Sequence, residues 1–454
     1  MKDGGPIMLI RSLLARGSAA VGRFFAAVRG LPARGSAAAG PLFASIRKLL
    51  SRRPVAIVAA IVIVVAVIGS GVAVANIAGS SATPTPEPTE IALASPTAAP
   101  TATPTATPSP TLLPSPTPAP TATAAPMVAA TTNGVWLPAD QAALATRKPI
   151  AVMIDDQQGA RPQSGLSMAN IVYQGPAEGG IPRYMALFQT QSPPAIGPVR
   201  STRLYFVAWA EEWRAGYVHM WGAPNAMARL AKDTGKYIYN IDGLRYGGMS
   251  GYMWRTSFRV APHNLYTSYA KLETLTSKLG GTAPLATSPF TFEDALPGSA
   301  RLEGGQVVVP YAQNDVVYDY DWKTNTYPRT VSKEGPQIDA ATGLRIAPSN
   351  VVLMFMNVGL LAATPAELHK HRLDVQYTGH GSAMVFNNGQ AIKAIWTKNS
   401  EYAPTLLTYA SGPNKGQSVP MVRGQIFIQV VPTYVPATWT TGYAAAPEIG
   451  TQGN

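Results

Sequence analysis

The spacing of apolar residues follows three different rhythms along this chain. From 55 to 75 the run VAIVAAIVIVVAVIGSGVAVA carries no charge, and Ser70 is its only polar side chain. As a helix it would be about 31 Å long, close to the thickness of a bilayer's hydrocarbon core. From 80 to 126 there is no apolar rhythm: Thr, Pro, Ala and Ser make up nearly all of the sequence, as in PTAAPTATPTATPSP. Beyond that tract, short apolar runs alternate with turn signals. Strands are predicted at 149–155, 171–174, 184–189 and 217–220, and helices at 201–214, around 225–232 and over 263–279. In the last of these Leu265, Tyr269, Leu272, Leu275 and Leu279 form a stripe closed by Gly280-Gly281. After about 303 strand-like runs dominate, at 307–310, 316–320, 351–358, 384–386, 391–396 and 426–431.

The pattern predicts an α+β chain in six parts. A basic cytoplasmic tail (1–53) precedes a transmembrane helix (54–78) and a disordered extracytoplasmic linker (79–132). A mixed α/β domain (133–302) is followed by a mostly antiparallel β domain (303–446) and a short tail (447–454). Proline lacks a backbone donor and fixes φ, so the linker cannot build a core. At about 3.1 Å per residue it reaches on the order of 145 Å when fully extended. The small-residue triplet Ala73-Val74-Ala75 also reads as a cleavage site, but the apolar run is longer and later than a signal peptide's, which favours an anchor.

Charge fixes the orientation. Residues 1–53 hold ten Lys/Arg against one acid, Asp3, and so supply nine of the twelve excess positive charges. The basic side stays in the cytoplasm, which puts the globular part outside. The same asymmetry removes the argument for a nucleic-acid partner, because the basic charge sits beside the membrane. Within the tail, 13–29 and 31–47 are similar at an offset of 18 residues, five helical turns. Seven Gly and Pro residues between 17 and 41 weaken any helix there. There is no cysteine, so no disulfide, lipidated thiol or thiol nucleophile is available.

Candidate chemistry crowds into 155–264. Asp155 and Asp156 end a strand, and Arg161, Glu178, Arg183, Arg200 and Arg203 follow near glycine-rich turns. His219 ends another strand, and His263-Asn264 opens the predicted helix. Guanidinium groups with free backbone N–H groups suit a phosphate, carboxylate or acidic sugar. Asp155, Glu178 and His219 are the candidate acid–base groups. Arg–Asp pairs equally serve to tie loops to a sheet. No phosphate-binding glycine loop, Gly-x-Ser-x-Gly or His-Glu-x-x-His motif occurs, His369 and His371 lie in a polar loop, and neither a metal nor a cofactor is expected.

At these residues the chain resembles the YerB-like family of bacterial lipoproteins, whose paired N- and C-terminal domains have no assigned function. The resemblance is carried by AVMIDDQQGARPQSGLSMANIVYQGPAEGGIPRYMALFQ, IGPVRSTRLYF and YVHMWGAP. In the second half it is carried by NDVVYDYDWKTNTYPR, DAATGLRIAPSNVVLM, AIKAIWTKNSEYAPTLLTYASG and GQIFIQVVP. It implies an extracytoplasmic protein tied to the membrane and supplies neither a reaction nor a ligand. The chain departs from it in lacking a cysteine for lipid, which the apolar segment replaces. Two functions remain open. One is an envelope binding or scaffold protein whose arginine-rich face holds an anionic glycan, peptide or protein. The other is an envelope hydrolase or transferase using Asp155 or Glu178 with arginine clamps. Convergence of those two carboxylates to about 5–9 Å in an open cleft would favour a glycosidase.

Overall fold

The computed structural model describes residues 125–247, 250–362, 364–365, 369–442 and 448–449. The segment 55–75 and the linker up to 124 lie outside the described residues. Among the described residues no helix is long and apolar enough to cross a membrane.

Two sheets organise the described part. The first half contributes β1 (Ile150–Asp155), β2 (Ile171–Gly175), β3 (Arg183–Phe188), β4 (Gly216–His219) and β5 (Tyr239–Asp242). The second half contributes β6 (Gly305–Pro310), β7 (Asp315–Asp319), β8 (Arg329–Val331), β9 (Gly335–Pro336) and β10 (Asn350–Met356). It continues with β11 (Gly379–Asn387), β12 (Gln390–Lys398), β13 (Leu406–Tyr409), β14 (Ile426–Pro432), β15 (Thr438–Thr441) and β16 (Glu448–Ile449). A ten-stranded sheet runs in the order β13-β12-β11-β10-β14-β2-β3-β1-β4-β5. The two halves therefore share one sheet, joined where β14 pairs in parallel with β2, Ile426 opposite Ile171. A six-stranded antiparallel sheet has the order β9-β8-β7-β6-β15-β16.

Strands β1, β2, β10 and β14 are buried along their whole length, which is why they read as unbroken apolar runs. Successive side chains still point to opposite faces. Val152 and Ile154 join Leu272 and Leu275 of helix α3 (Tyr269–Lys278), together with Val307, Tyr318 and Trp439 of the smaller sheet. Ala151 and Met153 face the other way, against Phe206 and Trp209 of helix α1 (Leu204–Glu212) and Leu230 of helix α2 (Pro224–Asp233). The large sheet is thus covered by the second sheet and α3 on one face and by α1 and α2 on the other.

Two expectations change. The helix predicted from His263 starts only at Tyr269. Leu265-Tyr266 is instead a strand paired with Trp254-Arg255, and both of its residues are buried. The linker expected to run to 132 ends earlier, because Met127–Ala129 pair with Trp136–Pro138 and Thr132 is buried against Gln189. The second half is mostly antiparallel, with β10 running parallel to β14.

The halves are also tied by ion pairs. Arg229 of α2 meets Glu211 of α1 at 2.8 Å and contacts Asp233 and, from the second half, Glu401. Burial pushes the Glu211 carboxyl up to about 7, against the pull of Arg229. An acid held above its unfolded value binds its proton more tightly in the folded chain. Its contribution to stability is complete below about pH 4.3 and is lost as pH rises through about 7. The melting temperature of the wild type should therefore fall relative to Glu211→Gln, on the order of 5 °C between pH 4.5 and 8. Parallel melting curves for the two proteins across that range would contradict it.

Candidate functional site

Strands β1, β2, β4 and β5 all run in one direction, so their carboxyl ends share one edge of the sheet. Open sheets with parallel strands bind ligands at such edges. Asp155 ends β1, His219 ends β4 and Asp242 ends β5, while Arg183 opens β3 directly opposite Asp155.

Asp155 is buried, with one oxygen, Oδ2, 2.7 Å from His263 Nδ1 and 3.2 Å from Arg200 Nε. Two neighbouring segments deliver these partners. Residues 196–199 lie against 265–267, where Ile196 N–H donates to Thr267 O and Val199 N–H donates to Leu265 O. This contact needs glycine at 197, whose φ is +154° and where a β-carbon would sit 2.9 Å from Leu265 O. Arg200 follows directly, and its N–H donates to Met153 O beside Asp155. Its Nε is buried without a hydrogen bond, while 27% of the side chain reaches solvent.

A second group lies alongside. Arg203 donates to both oxygens of Glu178, at 2.5 Å from Nε and also through Nη2. Arg183 lies 3.7 Å from Glu178 and donates to Ser201 O. Burial raises the Glu178 carboxyl, but the hydrogen bond and charge of Arg203, with Arg183, hold it below its ordinary value. Burial pulls the Arg183 guanidinium down to about 10, and the charges of Arg203 and Arg200 act in the same direction. Three guanidinium groups thus share two carboxylates, Asp155 and Glu178, leaving net positive charge at the edge of the sheet. Both carboxylates are engaged by arginines.

The remaining sequence candidates sit elsewhere. Arg161 pairs not with Asp155 but with Asp156, at 2.9 Å, and with Glu334 of the second half at 2.6 Å. Burial pushes the Asp156 carboxyl up against the charges of Arg161 and Arg329. Asn264 closes its own hairpin, accepting from Arg255 at 2.6 Å and donating to Thr256 O. The His219 ring is buried with both nitrogens engaged, by Trp221 O at 3.0 Å and Asn240 Oδ1 at 2.8 Å. That leaves the ring no free atom for a substrate; it acts instead on Trp221.

Trp221 is the residue that sequence reasoning missed. It is 56% exposed and has a left-handed backbone, φ +58°, which is costly for a residue with a side chain. Its backbone is held there on three sides. His219 and the Thr202 N–H donate to its carbonyl, and its own N–H donates to Asp242. Thr202 lies between Arg200 and Arg203, so the Trp221 backbone runs beside the arginine-bearing segment. Only the unusual order His-Met-Trp-Gly-Ala-Pro marked this position, and it has no periodic signal.

Comparison with known proteins places this geometry in a family. Residues 136–282 match the N-terminal domain of a protein family of unknown function, DUF3048, and residues 307–428 match its C-terminal domain. A curated relative, "Putative lipoprotein YerB" of Bacillus subtilis (strain 168), is 32% identical over 304 residues, 65% of this chain and 85% of the relative. The chain belongs to the DUF3048 family. The crystal structure of the YerB protein from Bacillus subtilis superposes with a TM-score of 0.58 at 28% identity, over 69% of this chain and 99% of that one. Both family domains contribute strands to the ten-stranded sheet, and the arginine-rich edge lies in the N-terminal one.

Proposed function

We propose that this DUF3048 protein is an extracytoplasmic envelope protein that binds an anionic glycan at the carboxyl edge of its large sheet. The observation that carries the reading is Arg200. Its guanidinium meets Asp155, makes no hydrogen bond among the described residues, and reaches solvent beside two further arginines. A guanidinium in that state has donors to offer a phosphate or carboxylate. Trp221, whose backbone is bonded to Thr202 on the same segment, adds an exposed aromatic side chain suited to the apolar face of a sugar ring. That pairing favours a glycan over a peptide or protein. The apolar segment 55–75 would hold the protein at the membrane with its tail in the cytoplasm, and the Thr/Pro/Ala-rich tract up to 124 would space the folded part outward. The lipoprotein description of the Bacillus relative agrees with a membrane-tied location.

The test uses the full-length chain in detergent micelles, sedimented with purified cell wall. Wild type is expected in the pellet. Arg200→Ala and Trp221→Ala should each weaken binding about tenfold or more, since a hydrogen bond to a charged group contributes roughly 1.5–3 kcal/mol. Trp221→Ala should keep the wild-type melting temperature, while Arg200→Ala, which takes a cation from buried Asp155, should melt lower but still unfold cooperatively. Arg200→Lys, which keeps the charge, should stay folded and bind more weakly than wild type. Equal sedimentation of all four proteins would remove the proposal.

A further inference from the structure

We propose that His263, oriented by Asp155, is the general base of a phosphodiester hydrolysis in which Arg200 holds the phosphate. The inference rests on the anion-binding reading above and adds a reaction to it. Asp155 Oδ2 accepts from His263 Nδ1 at 2.7 Å, which puts the imidazole proton on Nδ1 and leaves the Nε2 lone pair free. Nε2 makes no hydrogen bond among the described residues, and 17% of the side chain reaches solvent. The ring lies along Gly159, where even a β-carbon would come no nearer than 3.7 Å to Nε2. The flank beside that nitrogen is therefore kept low.

The base and the cation are fixed on one atom. Asp155 Oδ2 meets both His263 Nδ1 and Arg200 Nε, so the imidazole and the guanidinium share one anchor, and the bound phosphate is taken to span them. The proposed nucleophile is water. A phosphodiester fits both partners at once, because its charge and its scissile bond belong to the same group. A carboxylate would put the charge away from the reacting bond.

In the step itself His263 Nε2 takes one proton from water, and the water oxygen forms a bond to phosphorus. The P–O bond opposite breaks in line, and the leaving oxygen takes a proton from solvent. The imidazolium then returns its proton to solvent. One P–O bond forms and one breaks, with no change of oxidation state. Arg200 neutralises charge on the non-bridging oxygens. His263 is the catalytic residue, and Asp155 is a positioning residue that selects its tautomer.

The experiment follows p-nitrophenolate release from bis(p-nitrophenyl) phosphate by the full-length chain in detergent, from pH 5 to 9. Wild type is expected to turn over, with an ionisation on the acid limb of the profile that His263→Gln lacks. His263→Gln and Asp155→Asn should each lose about 10²–10⁴-fold in kcat. Added imidazole should restore part of the activity of His263→Gly, and melting temperatures confirm folding. Turnover by wild type no faster than by His263→Gln, with arginine-dependent wall binding intact, overturns the reaction and leaves the binding site standing. Loss of wall binding by the wild type itself overturns both.

Discussion

Arg329→Met is expected to lower stability by roughly 3–5 kcal/mol. Arg329 lies on β8 of the smaller sheet and is fully buried. Its Nε donates to Tyr318 at 3.1 Å, its Nη2 to Gln174 at 2.6 Å, and its Nη1 to Gln337. Gln174 passes the connection to Asp156 at 2.6 Å, and Gln337 passes it to Gln163 and Tyr184. Gln429 donates to Tyr318 at 2.6 Å. This polar network is the fastening between the two sheets, and every member is buried. Methionine fills much of the volume but leaves Gln174 and Gln337 without their donor and Asp156 with Arg161 alone, and buried groups stripped of partners are costly. Denaturant unfolding should show the loss directly, and the melting temperature should fall on the order of 10 °C. A change below about 1 kcal/mol would mean that the network adds little beyond packing.

The second large effect is expected at Lys398. Its ammonium is fully buried, 2.7 Å from Glu212 Oε1 and 2.5 Å from Ala403 O. Glu212 also accepts from the Thr405 N–H at 3.1 Å and from its hydroxyl at 2.7 Å. Burial raises the Glu212 carboxyl against the charge of Lys398. Lys398→Met leaves that carboxylate buried and unpaired, which costs about 3–5 kcal/mol. The double variant Lys398→Met/Glu212→Gln removes the orphan charge while keeping an acceptor for Thr405. It should recover at least half of the loss. If the double variant is no more stable than the single one, the penalty arises from the lysine's packing and its bond to Ala403, not from the stranded carboxylate.

How much of this was legible in the sequence differs from element to element. The buried strands were plain because apolar residues on both faces leave a continuous run, as in PIAVMID, and a six-residue run is too short for a helix. The start of α3 was not. Leu265 fits the helical stripe by spacing, yet it belongs to a strand paired with Arg255, and the 3.6-residue period begins only at Tyr269. Local periodicity cannot report a partner strand. The same limit governs the site. Asp155, Glu178 and the arginines stood out as charges at strand ends, but their pairing did not. Arg161, nearest to Asp155 along the chain, turns to Asp156, while Asp155 binds His263 at a separation of 108 residues. Arg329 was not singled out, because nothing local announces that a second sheet covers it.

The pairing of β14 with β2 has a consequence for the order of events in the cell. A strand ending at Pro432 lies between Ile171–Gly175 and Asn350–Met356, so the large sheet cannot close until nearly the whole chain has arrived. Contacts this distant form late and slowly. Until then β2 presents an open row of backbone donors and acceptors, a template for pairing with other chains. Synthesis of such a chain must keep the first half apart from its neighbours until its last long strand emerges. A truncation before residue 426 would fix the protein in that unfinished, adhesive state.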